Sequence, residues 1–437
     1  MAQSCFFHTV CCMAAEAERT AARRAAMDSV LSQLFDLSAW RIDIPMDQCE
    51  SSICEAIYSL GNAASPQETR MGSLLPETGR FVEVPPLGEG KHGVVAKARD
   101  DVTGETVAVK TLRPKPLYFA DSDDENYEYY EAELNLPHRL LREACFMAAC
   151  RGHPSLVRLS AIGRNPQSYF LVMEHVGPSL YDVLVDQRGC NPFPERDVRR
   201  MMRQVMSGAK AMHDRGVVHR AINPHNILVG DGGVVKIGDF GEATSVSETN
   251  LPYYGIMSYA SPECLLHAPD AGNSEVADSW SMGCLMLELL TGEDHFNVVV
   301  VENDVEGQLY GIFDVLGVPG KATMKAIKPL DCDHELAEKL QQWRARQRRV
   351  GKQQRSRLRE LVPREVLSAE GYDVLEGLLM INPKKRLTAA AALQLPWFAS
   401  KDDSPAVSGA HRRVGVVPLI FSYLGLFVPW LFGARDG

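Results

Sequence analysis

Two kinds of apolar patterning divide this chain. From Phe81 to Thr111, β-branched and aromatic residues fall in short runs, Phe81–Pro86, Val94–Arg99 and Glu105–Thr111, joined by Gly-rich or Asp-rich turns. Such runs read as strands. A helix is expected around Leu140–Ala149, then strands near Leu156–Ile162 and Tyr169–Glu174, and from Ser179 onwards helical spacing dominates. Strands first and helices afterwards predict an α+β chain in two lobes rather than a doubly wound sheet. With 437 residues, 45 % hydrophobic and 23 % charged, the chain can bury a sizeable core, and its composition excludes a disordered or collagen-like protein.

The segments between the strands carry the chemistry. Leu87-Gly88-Glu89-Gly90-Lys91-His92-Gly93-Val94-Val95 places three glycines between two strands, where backbone can approach a phosphate that a side chain would block. A strand rather than a helix follows, which argues against a dinucleotide-binding turn. Val107-Ala108-Val109-Lys110 then sets a lysine on a strand facing that loop, as a point charge for phosphate. Glu143, on the expected helix, is a plausible ion-pair partner for it. Further on come His219-Arg220-Ala221-Ile222-Asn223-Pro224-His225-Asn226, Asp239-Phe240-Gly241 and Ser261-Pro262-Glu263.

In that order and spacing these motifs resemble the eukaryotic protein kinases over Phe81 to about Ser400. The resemblance implies a bilobal fold, with a small β-rich N-lobe at 81–175 and a larger helical C-lobe at 176–400. It also implies ATP and Mg²⁺ as ligands and proteins as substrates or partners. It assigns Leu87, Gly88, Gly90, Gly93, Val95, Ala108, Lys110, Glu143, Met173, Glu174, Val176 and Leu228 to ATP, with Met173 at the gatekeeper position of the hinge. Asn226 and Asp239 would hold Mg²⁺. Asp278–Gly283 looks like the segment that anchors the catalytic loop, and Arg386 like the partner of Glu263. Gly88–Asp100, Arg142–Leu159, Phe313–Pro319 and Leu378–Phe398 look most like the cyclin-dependent-kinase branch. Leu136–Arg142 departs from the usual cyclin-contact sequence and counts against a cyclin partner.

Three departures fall in one cluster. Ala221 stands where the family has its catalytic Asp, Asn223 where it has a Lys, and Ile256 where it has a Thr. Arg220 is kept and could take a phosphate on the segment Asp239–Glu263, where Ser245, Ser247, Thr249, Tyr253 and Tyr254 offer hydroxyls and Leu251 stands near the usual phosphothreonine register. The resemblance therefore implies an ATP-binding Ser/Thr kinase homologue with impaired phosphoryl transfer, a regulatory or scaffolding pseudokinase. An active kinase and a degenerate interaction protein without nucleotide are the alternatives.

Outside the kinase-like region, residues 1–80 read as an extension, helical or partly disordered. Asp28 would cap a helix carrying Val30, Leu31, Leu34 and Phe35, and Gly72, Pro76 and Gly79 mark a linker. Between Arg113 and His138, Asp121, Asp123, Asp124, Glu125, Glu128, Glu131 and Glu133 read as a solvated acidic insert. Arg344, Arg346, Arg348, Arg349, Lys352, Arg355, Arg357 and Arg359 form a basic run, but a net charge of −10 counts against nucleic acid as a partner. Eleven irregularly spaced cysteines make no disulfide framework and fit reduced thiols in cytoplasm or nucleus. His8, Cys11 and Cys12 lack a second ligand pair at zinc spacing. The tail 401–437 contains an uncharged stretch, Val414–Gly433, that as a helix would span ~30 Å, so a membrane tail anchor is one expectation for it.

Overall fold

The computed structural model describes residues 81–90, 93–100, 104–111, 137–164, 169–246, 248, 255–266, 271–297, 305–327, 342, 345 and 356–399. The helix expected at 28–35, the linker at 72–79, the His8–Cys12 cluster, Lys91 and His92 lie outside these residues. So do the acidic insert, Ser247, Thr249, Leu251, Tyr253, Tyr254, most of the basic run and the tail 401–437.

Strands β1 (Phe81–Gly90), β2 (Gly93–Asp100), β3 (Thr106–Thr111), β4 (Leu159–Arg164) and β5 (Tyr169–Glu174) form one antiparallel sheet in the order β1-β2-β3-β5-β4. Helix α1 (Pro137–Ala149) lies between β3 and β4 in sequence and packs on β4 and β5. Alternation decides which side chains face it. Val107, Val109, Phe170 and Val172 bury with Ala98 in one small cluster. Ala108, Leu171 and Met173, one residue out of phase, join Leu140, Ala144 and Met147 of α1 in the main core. Lys110 shares the parity of Ala108, so it faces α1 as well.

β1 runs further than its apolar pattern implies. Gly88 pairs with Val95, Glu89 with Val94 and Gly90 with Gly93, so the glycine loop is the end of a hairpin. Gly93 adopts φ of +149°, which side chains rarely tolerate. Pro85 and Pro86 donate no ladder hydrogen bond, and the register shifts at Pro86. β4 begins at Leu159 rather than Leu156. Leu156 instead bridges to Ile237, and Val157 N donates to Ile237 O at 2.9 Å.

Helices make up most of the second lobe: α2 (Glu195–His213), α3 (Glu275–Thr291), α4 (Val305–Leu316) and α5 (Ala369–Leu378). α2 buries Val198, Met201, Met202, Val205, Ala209 and Met212, one apolar stripe at helical spacing. α3 is buried on all sides from Ala277 to Leu290 and is the central rod of this lobe. Four short strands sit beside it: β6 (Val217–Val218), β7 (Ile227–Val229), β8 (Val235–Ile237) and β9 (Thr244–Ser245). β6 pairs with β9 and β7 with β8, which sets the connections 219–226 and 238–243 side by side. The chain crosses between lobes after β5. There Gly177 has φ of +157°, and a Cβ on it would lie 2.1 Å from Val229 O, so glycine alone lets the crossing press against β7.

The expected membrane tail anchor is corrected. Among the described residues no helix is long and apolar enough to cross a membrane. Helix α3, buried all round, has 17 residues and would reach only ~25 Å, short of a ~30 Å hydrocarbon core. Val414–Gly433 itself lies outside the described residues.

Arg386 fastens this lobe. Its guanidinium is buried with the Glu263 carboxylate, Nη2 donating to Oε2 at 2.9 Å, while Nε donates to Met380 O at 2.9 Å and Nη1 to Val276 O at 2.8 Å. Removing one partner leaves the other as an uncompensated buried charge, at about 3–5 kcal/mol. Arg386→Ala is expected to lower the unfolding free energy by that amount in urea titration, and a loss below about 1 kcal/mol would contradict the assignment.

Candidate active site

Lys110 is only 4 % exposed, and its ammonium must find anions inside the protein. It donates to Glu143 Oε1 at 2.8 Å and Oε2 at 2.7 Å, and to Asp239 Oδ1 at 2.7 Å. Burial by itself lowers the lysine pKa, but the charges of Asp239 and Glu143 outweigh it and the net shift is upward, so Lys110 stays charged. Three elements meet here: strand β3, helix α1 and the connection after β8.

Apolar residues of the same elements belong to the main core. Ala108 and Met173 are buried opposite each other in the β3–β5 ladder. Val95, Val176 and Leu228 are partly buried against the same core, from β2, the interlobe crossing and β7. Leu87, Gly88 and Gly90 lie in β1 beside β2. Glu174 closes β5 at the hinge position. Its carboxylate takes Lys236 Nζ and Arg158 N, both at 2.7 Å, and its own N–H donates to Arg158 O at 3.0 Å.

The connection 219–226 is shaped by a carboxylate from α3. Asp278, fully buried, accepts from His219 N and Arg220 N, each at 2.8 Å, and from His213 Nε2 at 2.8 Å. Burial by itself raises the Asp278 pKa, and the hydrogen bond and charge of His213 more than reverse it, so the carboxylate stays ionised. Those bonds hold Arg220 at φ of +65°, a conformation uncommon outside glycine. Ala221, next in the chain and partly buried, carries only a methyl group. Asn223 Nδ2 and Asn226 Nδ2 both donate to Ala221 O, at 3.0 and 2.9 Å. With its NH₂ so engaged, Asn226 has only Oδ1 to offer a cation. Asp239, at φ of +56°, has a side chain 40 % exposed and supplies a carboxylate. An amide oxygen and a carboxylate are hard donors that fit Mg²⁺ with most of its shell filled by water and phosphate. Among the described residues no group of three or more His, Cys, Asp or Glu could hold a metal ion alone.

Two partnerships escape the motif pattern. His213 reaches Asp278 from α2. Glu248 in the segment after β9 is bound by Arg142, the neighbour of Glu143 on α1. Neither has a local sequence signal, because each joins residues far apart in the chain. Ile256, half-exposed, begins the turn before Tyr259.

The sequence profile described as "Protein kinase domain" matches residues 81–398. The chain belongs to the protein kinase family. A rice protein (Oryza sativa subsp. japonica) named "Putative cyclin-dependent kinase F-2" is 38 % identical over 335 residues, 73 % of this chain and 90 % of that protein. Cyclin-dependent kinase G1 of Arabidopsis thaliana is 30 % identical over 349 residues, 77 % of this chain but 52 % of that protein, so the chain spans about half the length of that relative. Cell division control protein 2 homolog 3 of Trypanosoma brucei brucei is 30 % identical over 326 residues, 73 % of this chain and 92 % of that protein. This protein kinase domain is thus homologous to cyclin-dependent-kinase-like Ser/Thr kinases, and the family carries an association with ATP, Mg²⁺ and protein substrates.

A buried histidine of this kinase domain gives a pH test. His219 is fully buried, and burial holds its pKa below the ordinary 6.5. Its Nε2 lies 3.0 Å from Gly238 O, so that nitrogen carries the proton and the ring is neutral. On unfolding the ring regains its ordinary affinity, so below pH 6.5 the unfolded chain binds the extra proton and stability falls as pH falls. Glu288, pushed up to about 7 by burial, works in the opposite sense, so the difference from a variant isolates His219. Wild type is expected to lose about 1 kcal/mol more than His219→Gln between pH 6.5 and 5.5 in urea titrations. Equal losses would contradict the neutral assignment.

Proposed function

We propose that this kinase-family protein binds ATP with Mg²⁺ between its lobes and is impaired in transferring the γ-phosphate to Ser or Thr. It would act as a regulatory or scaffolding pseudokinase upon a protein partner. The reading treats residues 81–400 as the kinase domain, with 1–80 and 401–437 as extensions. One observation carries it: the ammonium–carboxylate cluster Lys110–Glu143–Asp239 is assembled at 2.7–2.8 Å, while the connection that should present a carboxylate ends in the methyl group of Ala221.

Each residue has a part in this reading. Val95, Ala108, Met173, Val176 and Leu228 would enclose the adenine, with Leu87 over it and Gly88, Gly90 and Gly93 letting backbone approach the phosphates. Lys110, held by Glu143, would present its charge to phosphate oxygens. Asn226 Oδ1 and Asp239 would hold Mg²⁺, whose charge offsets that of the phosphates. Ala221 cannot accept or orient a substrate hydroxyl proton. Loss of such help is typically ~10²–10⁴ in rate. Asn223 brings no charge to the transferring group, because both ends of its amide are occupied: Nδ2 by Ala221 O and Oδ1 by His225 N at 2.9 Å.

The second reading is a slow but active Ser/Thr kinase. The intact Lys110–Glu143 pair favours it, since phosphoryl transfer leans heavily on positioning. The names of the relatives suggest a cyclin as one partner class to test.

Nucleotide binding is tested by thermal unfolding of the full chain with ATP and Mg²⁺. Ligand at a hundred times Kd adds about 2.7 kcal/mol, and the melting temperature should rise accordingly. Lys110→Ala and Asp239→Ala are each expected to abolish the rise. No rise in the natural sequence would sink the nucleotide reading in favour of a degenerate interaction protein.

A further inference from the structure

We infer that Glu248 is a positioning residue: a carboxylate built into the chain that holds α1, and with it Glu143, in place without any phosphate on the segment. The argument begins with where the carboxylate sits. Both its oxygens bind the Arg142 guanidinium, a residue of α1 more than a hundred positions away. The same guanidinium also donates to Ala243 O at 3.2 Å and to Thr244 Oγ1 at 3.4 Å. Arg142 therefore fastens α1 to the chain that follows Asp239-Phe240-Gly241 at several points at once. Two-point pairing of a guanidinium with a carboxylate fixes orientation as well as distance.

The carboxylate is itself held from the other side. Thr244 Oγ1 donates to it, and Ser245 N donates to Oε2 at 3.3 Å. Asn273 Nδ2 donates to Glu248 O. The turn Ala271–Asn273 that carries this amide also lies against Arg220: a Cβ on Gly272 would stand 3.4 Å from Arg220 Nε. Glu248 is thus bound through both its side chain and its main chain, to α1 on one side and to the neighbourhood of Arg220 on the other. Burial alone would raise its pKa, yet the bonds and charge of Arg142 bring it below the ordinary carboxylate range.

The consequence runs along α1. Arg142 and Glu143 are adjacent, so whatever fixes Arg142 fixes the helix register that delivers Glu143 to Lys110. In the sequence, Arg220 is the residue that would await a phosphate on this segment. In the structure the neighbouring cation Arg142 already has its anion, supplied by a glutamate. The Lys110–Glu143 pair would then assemble in the chain as synthesised, with neither phosphorylation nor a second protein.

The test is amide hydrogen exchange on the full, phosphatase-treated chain, following α1 with α3 as the internal control. The exchange arm does not depend on nucleotide binding. A parallel ATP titration does rest on the function proposed above, so failure of that reading alone would leave exchange changed and binding absent. Glu248→Gln keeps shape and removes charge, and should speed exchange in α1 by about ten- to a hundredfold, the range of a charged hydrogen bond, with α3 unchanged. Arg142→Gln should do the same, Glu248→Asp should restore part of the protection, and the double variant Arg142→Gln/Glu248→Gln should be no worse than either single one. Exchange in α1 within twofold of wild type, equal loss in α1 and α3, or additive losses in the double variant would each overturn the inference.

Discussion

Taking the Lys110 ammonium out of water costs several kcal/mol unless anions meet it inside the protein, and the fold is arranged to supply them. Glu143 comes from α1 and Asp239 from the connection after β8, both within 2.8 Å. Remove either and the lysine loses part of what offsets its burial. Because the carboxylates belong to different elements, this one charge ties the sheet of the first lobe, the helix beside it and the loops of the second lobe together.

A second buried charge does the corresponding work below. Asp278 projects from a helix buried on every side, so it is as fixed as any atom in the protein. By accepting hydrogen bonds from the amides of His219 and Arg220 it fixes the start of the connection 219–226. That scaffold is complete, down to the neutral His219 packed edge-on against Phe240 with ring centroids 5.1 Å apart. What it presents is a methyl group. The positioning apparatus and the reacting group have parted company at Ala221. The two asparagine amides that converge on the Ala221 carbonyl hold the loop shape without a carboxylate.

Much of this was legible in the sequence, for identifiable reasons. Period-two alternation in Val107-Ala108-Val109-Lys110 places Lys110 on the helix side of the sheet. The order of the glycine loop, lysine strand, His219–Asn226 and Asp239–Gly241 suffices for the fold class. The Arg386–Glu263 pair was also legible from its motif, although 123 residues separate its members. Strand limits were less so: β1 extends through glycines because pairing with β2, not side-chain pattern, sustains it. The Arg142–Glu248 and His213–Asp278 contacts join distant segments with no shared motif, and only the folded chain brings them together. The bonds of the Glu174 carboxylate to Lys236 and Arg158 likewise join distant segments and carry no local signal. An uncharged run at 414–433 suggested an anchor on length and polarity alone.

The most direct test of the central account is transfer of labelled γ-phosphate to a generic Ser/Thr substrate. The natural chain would be compared with a variant carrying Ala221→Asp, Asn223→Lys and Ile256→Thr. The account predicts background transfer by the natural chain and Mg²⁺-dependent transfer by the restored variant, on the order of a hundredfold or more above it. Robust Mg²⁺-dependent turnover by the natural chain, lost with Asp239→Ala, would contradict it.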